Sequence, residues 1–403
     1  MEPQKSIHVE RLGPSFICFL IWTFVVIARP QDHLTFLMPL RPVLLICIVT
    51  VAVTFLEKVE LPRRMFRLPE VRLVLLFYII MLVGMPFAVH RGVAFRYLYT
   101  LVPAVLHFLV AVVQLRSVRR LNMTAAVVAL SVLFAASTYI VEVATYRGFR
   151  AAAGQVYDPN DIAMVLTTFI PICVYVLFAG SGWKARLMSV VTACLAVAGV
   201  MMSRSRGGVL ALAVIIVLLL LRSVPRIKGI AKVAMVIVLV VVFLSYFSAV
   251  EGRFQNMEQD YNFNDDNGRI NIWKQNLAII GENPVLGAGV GCSAVALGLY
   301  RAREGGVRAW LTSHSSLVQV AVETGIPGLV VFGILNILAI VHLRRIRRDR
   351  DHPLARFAFF VELSFYGFWV AGLLLSHGYS ASLYLLLGLA AATRHLYKYP
   401  ALA

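Results

Sequence analysis

From end to end of this chain, long runs of apolar residues alternate with short polar connections rich in arginine. Each run is continuously apolar over roughly 17–25 residues, the length an α-helix needs to cross about 30 Å of hydrocarbon. Membrane-spanning strands would alternate apolar and polar positions, and none of the runs does so. The pattern predicts twelve spans, at 13–28, 35–56, 71–89, 96–115, 123–142, 161–180, 186–202, 207–222, 229–250, 315–343, 354–376 and 380–395. The first run has no small-residue cleavage site before the turn at Arg29-Pro30, so it predicts a retained helix rather than a signal peptide. Residues 251–313 are the only long hydrophilic stretch, which divides the chain into spans 1–9 (1–250), an extracytoplasmic loop (251–313) and spans 10–12 (314–403).

Positive charge in the short connections orients the spans. Lys58, Arg63, Arg64 and Arg67, then Arg116, Arg119 and Arg120, then Lys184 and Arg186, then Arg222, Arg226 and Lys228, then Arg344 to Arg350 all fall on alternate connections. These connections are expected to be cytoplasmic, and with twelve spans both termini are cytoplasmic as well. Composition agrees with a membrane protein: 60% of the 403 residues are hydrophobic and only 14% are charged. The formal net charge of +18 is mostly these orientation signals, so it does not argue for nucleic acid. Of the five cysteines only Cys292 lies in the outer loop, and no disulfide is expected there.

The informative charges are the positive residues on the other face: Arg147 and Arg150, Arg204 and Arg206, and Arg253, Arg269, Lys274, Arg301, Arg303 and Arg308 in the large loop. For the last three, ion pairs with loop acids such as Glu304 account for the charge as well as any function does. Arg206 differs. Ser203-Arg204-Ser205-Arg206-Gly207-Gly208 joins two apolar helices close to membrane depth, where an unpartnered charge is expensive. A guanidinium is a planar donor fork suited to phosphate, and the first amides of the next span add to an anion site. Phosphate outside the membrane points to a lipid-linked donor carrying its own leaving group, since ATP and nucleotide sugars are not available there.

Within the loop, Gln259 to Asn271 is rich in Asn and Asp and reads as an exposed segment that orders on substrate binding. Arg269 to Leu277 has helical apolar spacing, and Asn283-Pro284-Val285-Leu286-Gly287-Ala288-Gly289-Val290-Gly291 follows as a turn and glycine-rich loop. These glycines follow no strand and precede no Lys-Ser/Thr, so they predict tight backbone packing rather than a nucleotide site. His314 stands where the loop enters span 10. It reads either as a helix-capping histidine or as a general base for a sugar hydroxyl. Glu323, nine residues on, needs a partner, for which an outer arginine is the candidate. Neither His314 nor the aspartates Asp158, Asp161, Asp265 and Asp266 show metal-ligand spacing, so no metal and no cofactor is expected.

Taken together, four motifs resemble the O-antigen ligase and polymerase superfamily of polytopic glycosyltransferases. They are Tyr157-Asp158-Pro159-Asn160-Asp161, Ser205-Arg206-Gly207-Gly208, Arg269 with Trp273 and the Asn283-Pro284 glycine loop, and His314-Ser315 with Glu323-Thr324-Gly325. The resemblance implies an all-α integral membrane fold of the GT-C type. It also implies metal-independent, inverting transfer of glycan from undecaprenyl pyrophosphate to an acceptor outside the bacterial inner membrane, the lipid A-core in the ligases. Carried onto this chain, Arg206 and Arg269 would hold the pyrophosphate and His314 would be the general base. Arg204, Asp158, Asn160, Trp273, Lys274, Ser315 and Glu323 would bind or support substrate. Ser315 stands where the family often has Asn, which preserves hydrogen bonding.

A polymerase, with a second lipid-linked glycan as acceptor, and a protein O-glycosyltransferase share the donor chemistry. A lipid-linked glycan transporter is the reading from another class. It would show internal repeats and midplane charges, and the chain has no convincing repeat between its halves.

Overall fold

The structure, a computed structural model, describes residues 12–59, 63–145, 158–179, 182–223 and 268–399. It is 82% helical, with no strand among the described residues. The helices are α1 (Pro14–Ala28), α2 (Pro42–Leu56), α3 (Pro69–Gly84), α4 (Arg91–Gln114), α5 (Val118–Thr145), α6 (Pro159–Ala179), α7 (Trp183–Met202), α8 (Arg206–Ser223), α9 (Arg269–Glu282), α10 (Ser293–Arg303), α11 (Ser316–Arg348), α12 (Ala355–Gly372) and α13 (Ala381–Lys398). Four of them open on proline, whose fixed φ and missing N–H suit the first helical position. Eleven of the twelve expected spans coincide with one of these helices, and the ninth, 229–250, lies outside the described residues.

Among the described residues, seven helices are long and apolar enough to cross a membrane on their own composition: α2 with the turn before it, α3 with the turn after it, α4, α5, α6, α7 and α11. Two helices fall short for a packing reason. α12 carries Arg356 and Glu362 and is buried along most of its length, and α13 is buried at nearly every position. Helices surrounded by other helices need not present an apolar surface to lipid. α6, 21 residues long, lies at the centre, packed on α5, α7, α8 and α12, while α13 fills the space between α4 and α11. Many of the large apolar residues that remain exposed, among them Ile48, Phe55, Ile79, Leu187, Val190 and Ile337, lie on the outer helices, as a lipid-facing surface requires.

The helices run alternately between two chemically distinct ends. At one, the buried Glu70 of α3 accepts from Arg394 of α13 at 2.9 Å and meets His342 of α11 at 2.6 Å. There too the buried Glu362 of α12 is held by Arg222 of α8 at 3.4 Å and by Arg344 and Arg347 of α11, both at 3.1 Å. Arginines that the sequence uses only to orient the spans therefore also neutralise two carboxylates sunk in the bundle, which would be costly unpaired. The opposite end carries α9, α10, the glycine loop and the expected site residues.

Candidate functional site

Glycines 287, 289 and 291 have φ of 67°, 96° and 74°, so the Asn283–Gly291 segment folds back on itself as few other residues allow. It lies against a break in α11, where Gly325 (φ 66°) interrupts the helix. The two segments interlock: Ala288 N donates to Val322 O (2.7 Å), Gly289 N to Glu323 O (3.0 Å) and Ile326 N to Pro284 O (2.8 Å). A Cβ on Gly289 would come within 2.3 Å of the Ala88 Cβ, and one on Gly325 within 2.6 Å of Val285 O. Tight packing is what these glycines were expected to permit. Glu323, 1% exposed, occupies the junction: its carboxylate accepts from Gly291 N at 2.8 Å and Ser293 N at 3.2 Å. In place of the expected arginine the carboxylate meets two amides, just before and at the start of α10, beside the Ser293 and Tyr379 side chains.

The residues expected to carry chemistry converge on a segment the sequence did not single out, the turn of residues 373–380 between α12 and α13. Arg269, first residue of α9, donates from Nη1 to Leu374 O at 3.1 Å. Ser316 donates to Leu375 O at 2.7 Å and accepts from His377 N at 3.0 Å, two residues beyond His314. Gly207, next to Arg206, faces Leu374: a Cβ there would sit 3.7 Å from that side chain. Arg269, Gly207 next to Arg206, and Ser316 two residues after His314, far apart in the chain, thus all border one turn. Gly378 N further donates to Gln319 Oε1 at 3.3 Å, and His377 Nε2 lies 2.7 Å from Asp161 Oδ1 of α6.

Local backbone explains how two of these residues are presented. His314 and Arg204 are among five described non-glycine residues with left-handed backbone, at φ of 48° and 52°. Such conformations cost about 1–3 kcal/mol and persist only where neighbours hold them. Around His314 the neighbours are held: Trp273 Nε1 donates to Ser313 O at 2.9 Å, and Ser316 is clamped to the 373–380 turn. His314 Nε2 lies 3.4 Å from Thr312 Oγ1. Ser205 caps α8 by accepting from Gly208 N at 3.2 Å. Gly208 lets α8 approach α6, since a Cβ there would be 2.5 Å from the Ala163 Cβ.

The other expected residues have plainer surroundings. Asp158 caps α6, its Oδ1 accepting from Asn160 N at 2.6 Å and Asp161 N at 2.9 Å. Asn160 is half-buried beside it, Lys274 is exposed on α9, and Ser315 is buried as the extended residue before α11. In the loop, Arg303 pairs with Glu282 and Glu304, and Arg301 donates to Gln275 at 2.8 Å. Burial pushes the Cys292 thiol up to about 11. Among the described residues no group of three or more His, Cys, Asp or Glu could hold a metal ion. Arg147, Arg150, Asp265 and Asp266 lie outside the described residues.

Sequence reasoning passed over His377, Ser316 and Arg29. A signal for His377 existed, because the span boundaries place Ser376 to Tyr379 on the same face as His314. Beside the His377–Asp161 pair a cavity of about 220 Å³ opens between α1, α2, α6 and α12, lined by Arg29, Asp161, His377 and Ser380 and by apolar residues including Val26 and Phe368.

No match to the chain was found among curated proteins. Residues 191–333 match the family model described as O-Antigen ligase. That stretch contains Arg206, Arg269, His314, Glu323 and the glycine loop, and the match supports the assignment of this chain to the O-antigen ligase family.

Proposed function

We propose that the chain is an O-antigen ligase of the bacterial inner membrane, moving glycan from undecaprenyl pyrophosphate to a sugar of lipid A-core at the periplasmic face. The observation that carries this reading is the convergence on one turn of Arg269, of Gly207 beside Arg206 and of Ser316 beside His314, all inside the family-matched stretch. In the proposed reaction an acceptor hydroxyl attacks the anomeric carbon, inverting it, and the bond from that carbon to the pyrophosphate oxygen breaks. His314 takes the hydroxyl proton. Arg206 and Arg269 bind the pyrophosphate and stabilise the charge it keeps as it departs, without a metal. In this reading both termini are cytoplasmic, α9 and α10 belong to the periplasmic loop, and the bundle is of the GT-C type.

The test is transfer by purified protein in detergent with EDTA, using a lipid-linked glycan donor and lipid A-core. Wild-type transfer that His314→Ala and Arg206→Ala both lose, while melting as the wild type does, is the expected result. Elongation of the donor with lipid A-core ignored would make the protein a polymerase, and transfer to a protein acceptor would make it an O-glycosyltransferase. Absence of turnover on any acceptor, with movement of the donor across vesicles, would make it a transporter.

A further inference from the structure

The arginine-rich end holds a feature that glycan transfer does not use. A cavity of about 840 Å³ opens between α6, α8, α11 and α12, lined by Arg222, Arg347, Arg348, Arg350 and Arg356 together with Phe178, Leu221, Phe359 and Phe360. No carboxylate lines it among the described residues. Glu362 lies behind it, already shared by Arg222, Arg344 and Arg347, and Asp351 faces the adjoining groove. Arg348, Arg350 and Arg356 form no ion pair among the described residues, and Arg356 lies 5.5 Å over the Phe178 ring. Charge that only orients spans can lie anywhere near their ends. Here arginines from two helix ends and the turn between them converge with one from a third helix on a single concavity beside apolar rings.

We propose that this cavity binds the phosphate head of an anionic phospholipid, with the acyl chains along the Phe178–Leu221–Phe359 wall. Guanidinium forks match phosphate oxygens. Basic pockets between membrane helices take lipid headgroups for this reason. An amphipathic wall argues for a lipid over a soluble phosphate, which would have no use for the rings.

The experiment titrates purified full-length protein in zwitterionic detergent with cardiolipin, with phosphatidylethanolamine and with inorganic pyrophosphate, reading retained lipid by native mass spectrometry and the shift in melting temperature. The variants are Arg348→Gln/Arg350→Gln/Arg356→Gln, which leaves the Glu362 pairs intact, and Arg91→Gln/Arg96→Gln at the opposite end. Cardiolipin is expected to bind the wild type and the opposite-end variant alike and the triple variant at least about tenfold more weakly, with no comparable binding of phosphatidylethanolamine and no dependence of any pyrophosphate effect on the three cavity arginines. If the triple variant does not fold, Arg356→Gln alone is expected to weaken cardiolipin about threefold. Equal cardiolipin binding by the wild type and the folded arginine variant, equal binding of phosphatidylethanolamine, or a stabilisation by pyrophosphate that matches cardiolipin's and is lost in the arginine variant would overturn the proposal. None of these readouts depends on transferase activity.

Discussion

Replacing Glu323 separates a structural carboxylate from a substrate-binding one. In Glu323→Ala the amides of Gly291 and Ser293 lose their acceptor inside a junction that is otherwise closed. Each stranded amide costs about 1–3 kcal/mol, partly offset because a charge is no longer kept in a buried place. The net expectation is a loss of about 2–4 kcal/mol. Glu323→Gln keeps one oxygen, so one amide stays bonded while the other meets a donor; its loss should be about half as large. The damage should be local. Gly287, Gly289 and the Gly325 break still interlock, and the opened segment is the glycine loop with the start of α10. The assay is a thermal melt of both variants in detergent, combined with amide hydrogen exchange over 284–296. Expected are lower melting temperatures in the order wild type, Gln, Ala, with faster exchange at Gly291 and Ser293. If both variants melt and exchange like the wild type yet lose transfer, Glu323 acts on substrate and the capping argument is wrong.

Two further expectations follow from the geometry. Asp161→Ala removes one tether of the 373–380 turn while Ser316 and Gln319 keep the others, so transfer should fall about tenfold in kcat with little change in KM or melting; Asp161→Asn, which still accepts from His377, should restore most of it, and equal losses in both variants would refute a positioning role. Cys292, its thiol pushed up to about 11 by burial, should resist iodoacetamide at pH 8, reacting about a hundredfold more slowly than an unfolded-state thiol; rapid labelling read by peptide mass spectrometry would show that the loop opens.

Apolar run length and the placement of arginine were enough to locate eleven of the helices, because lipid imposes one length and one composition on whatever faces it. Among the described residues seven helices are apolar enough to span on their own composition, while α12 and α13 are shielded by neighbours, and the local sequence does not record which helices surround it. The glycine loop was legible for a similar reason: three glycines at alternate positions announce backbone that no side chain would tolerate. His314, Arg206 and Arg269 could be picked out as charges and an imidazole in places where a chain has little cause to keep them. The turn bordered by Arg269, Gly207 and Ser316 could not. Leu374 and Leu375 bond Arg269 and Ser316 through carbonyl oxygens, which every residue has, so nothing in their side chains marks those bonds. Likewise Glu323 shows in the sequence that it needs a partner, and only the fold decides that the partner is a pair of amides 30 and 32 residues away rather than an arginine. Sequence by itself determined the class of solvent, the positions of the apolar helices and the kinds of groups available for chemistry, because those depend on composition and period. Which groups meet was decided by helix packing, through backbone contacts between segments distant in the chain that leave no trace in residue type.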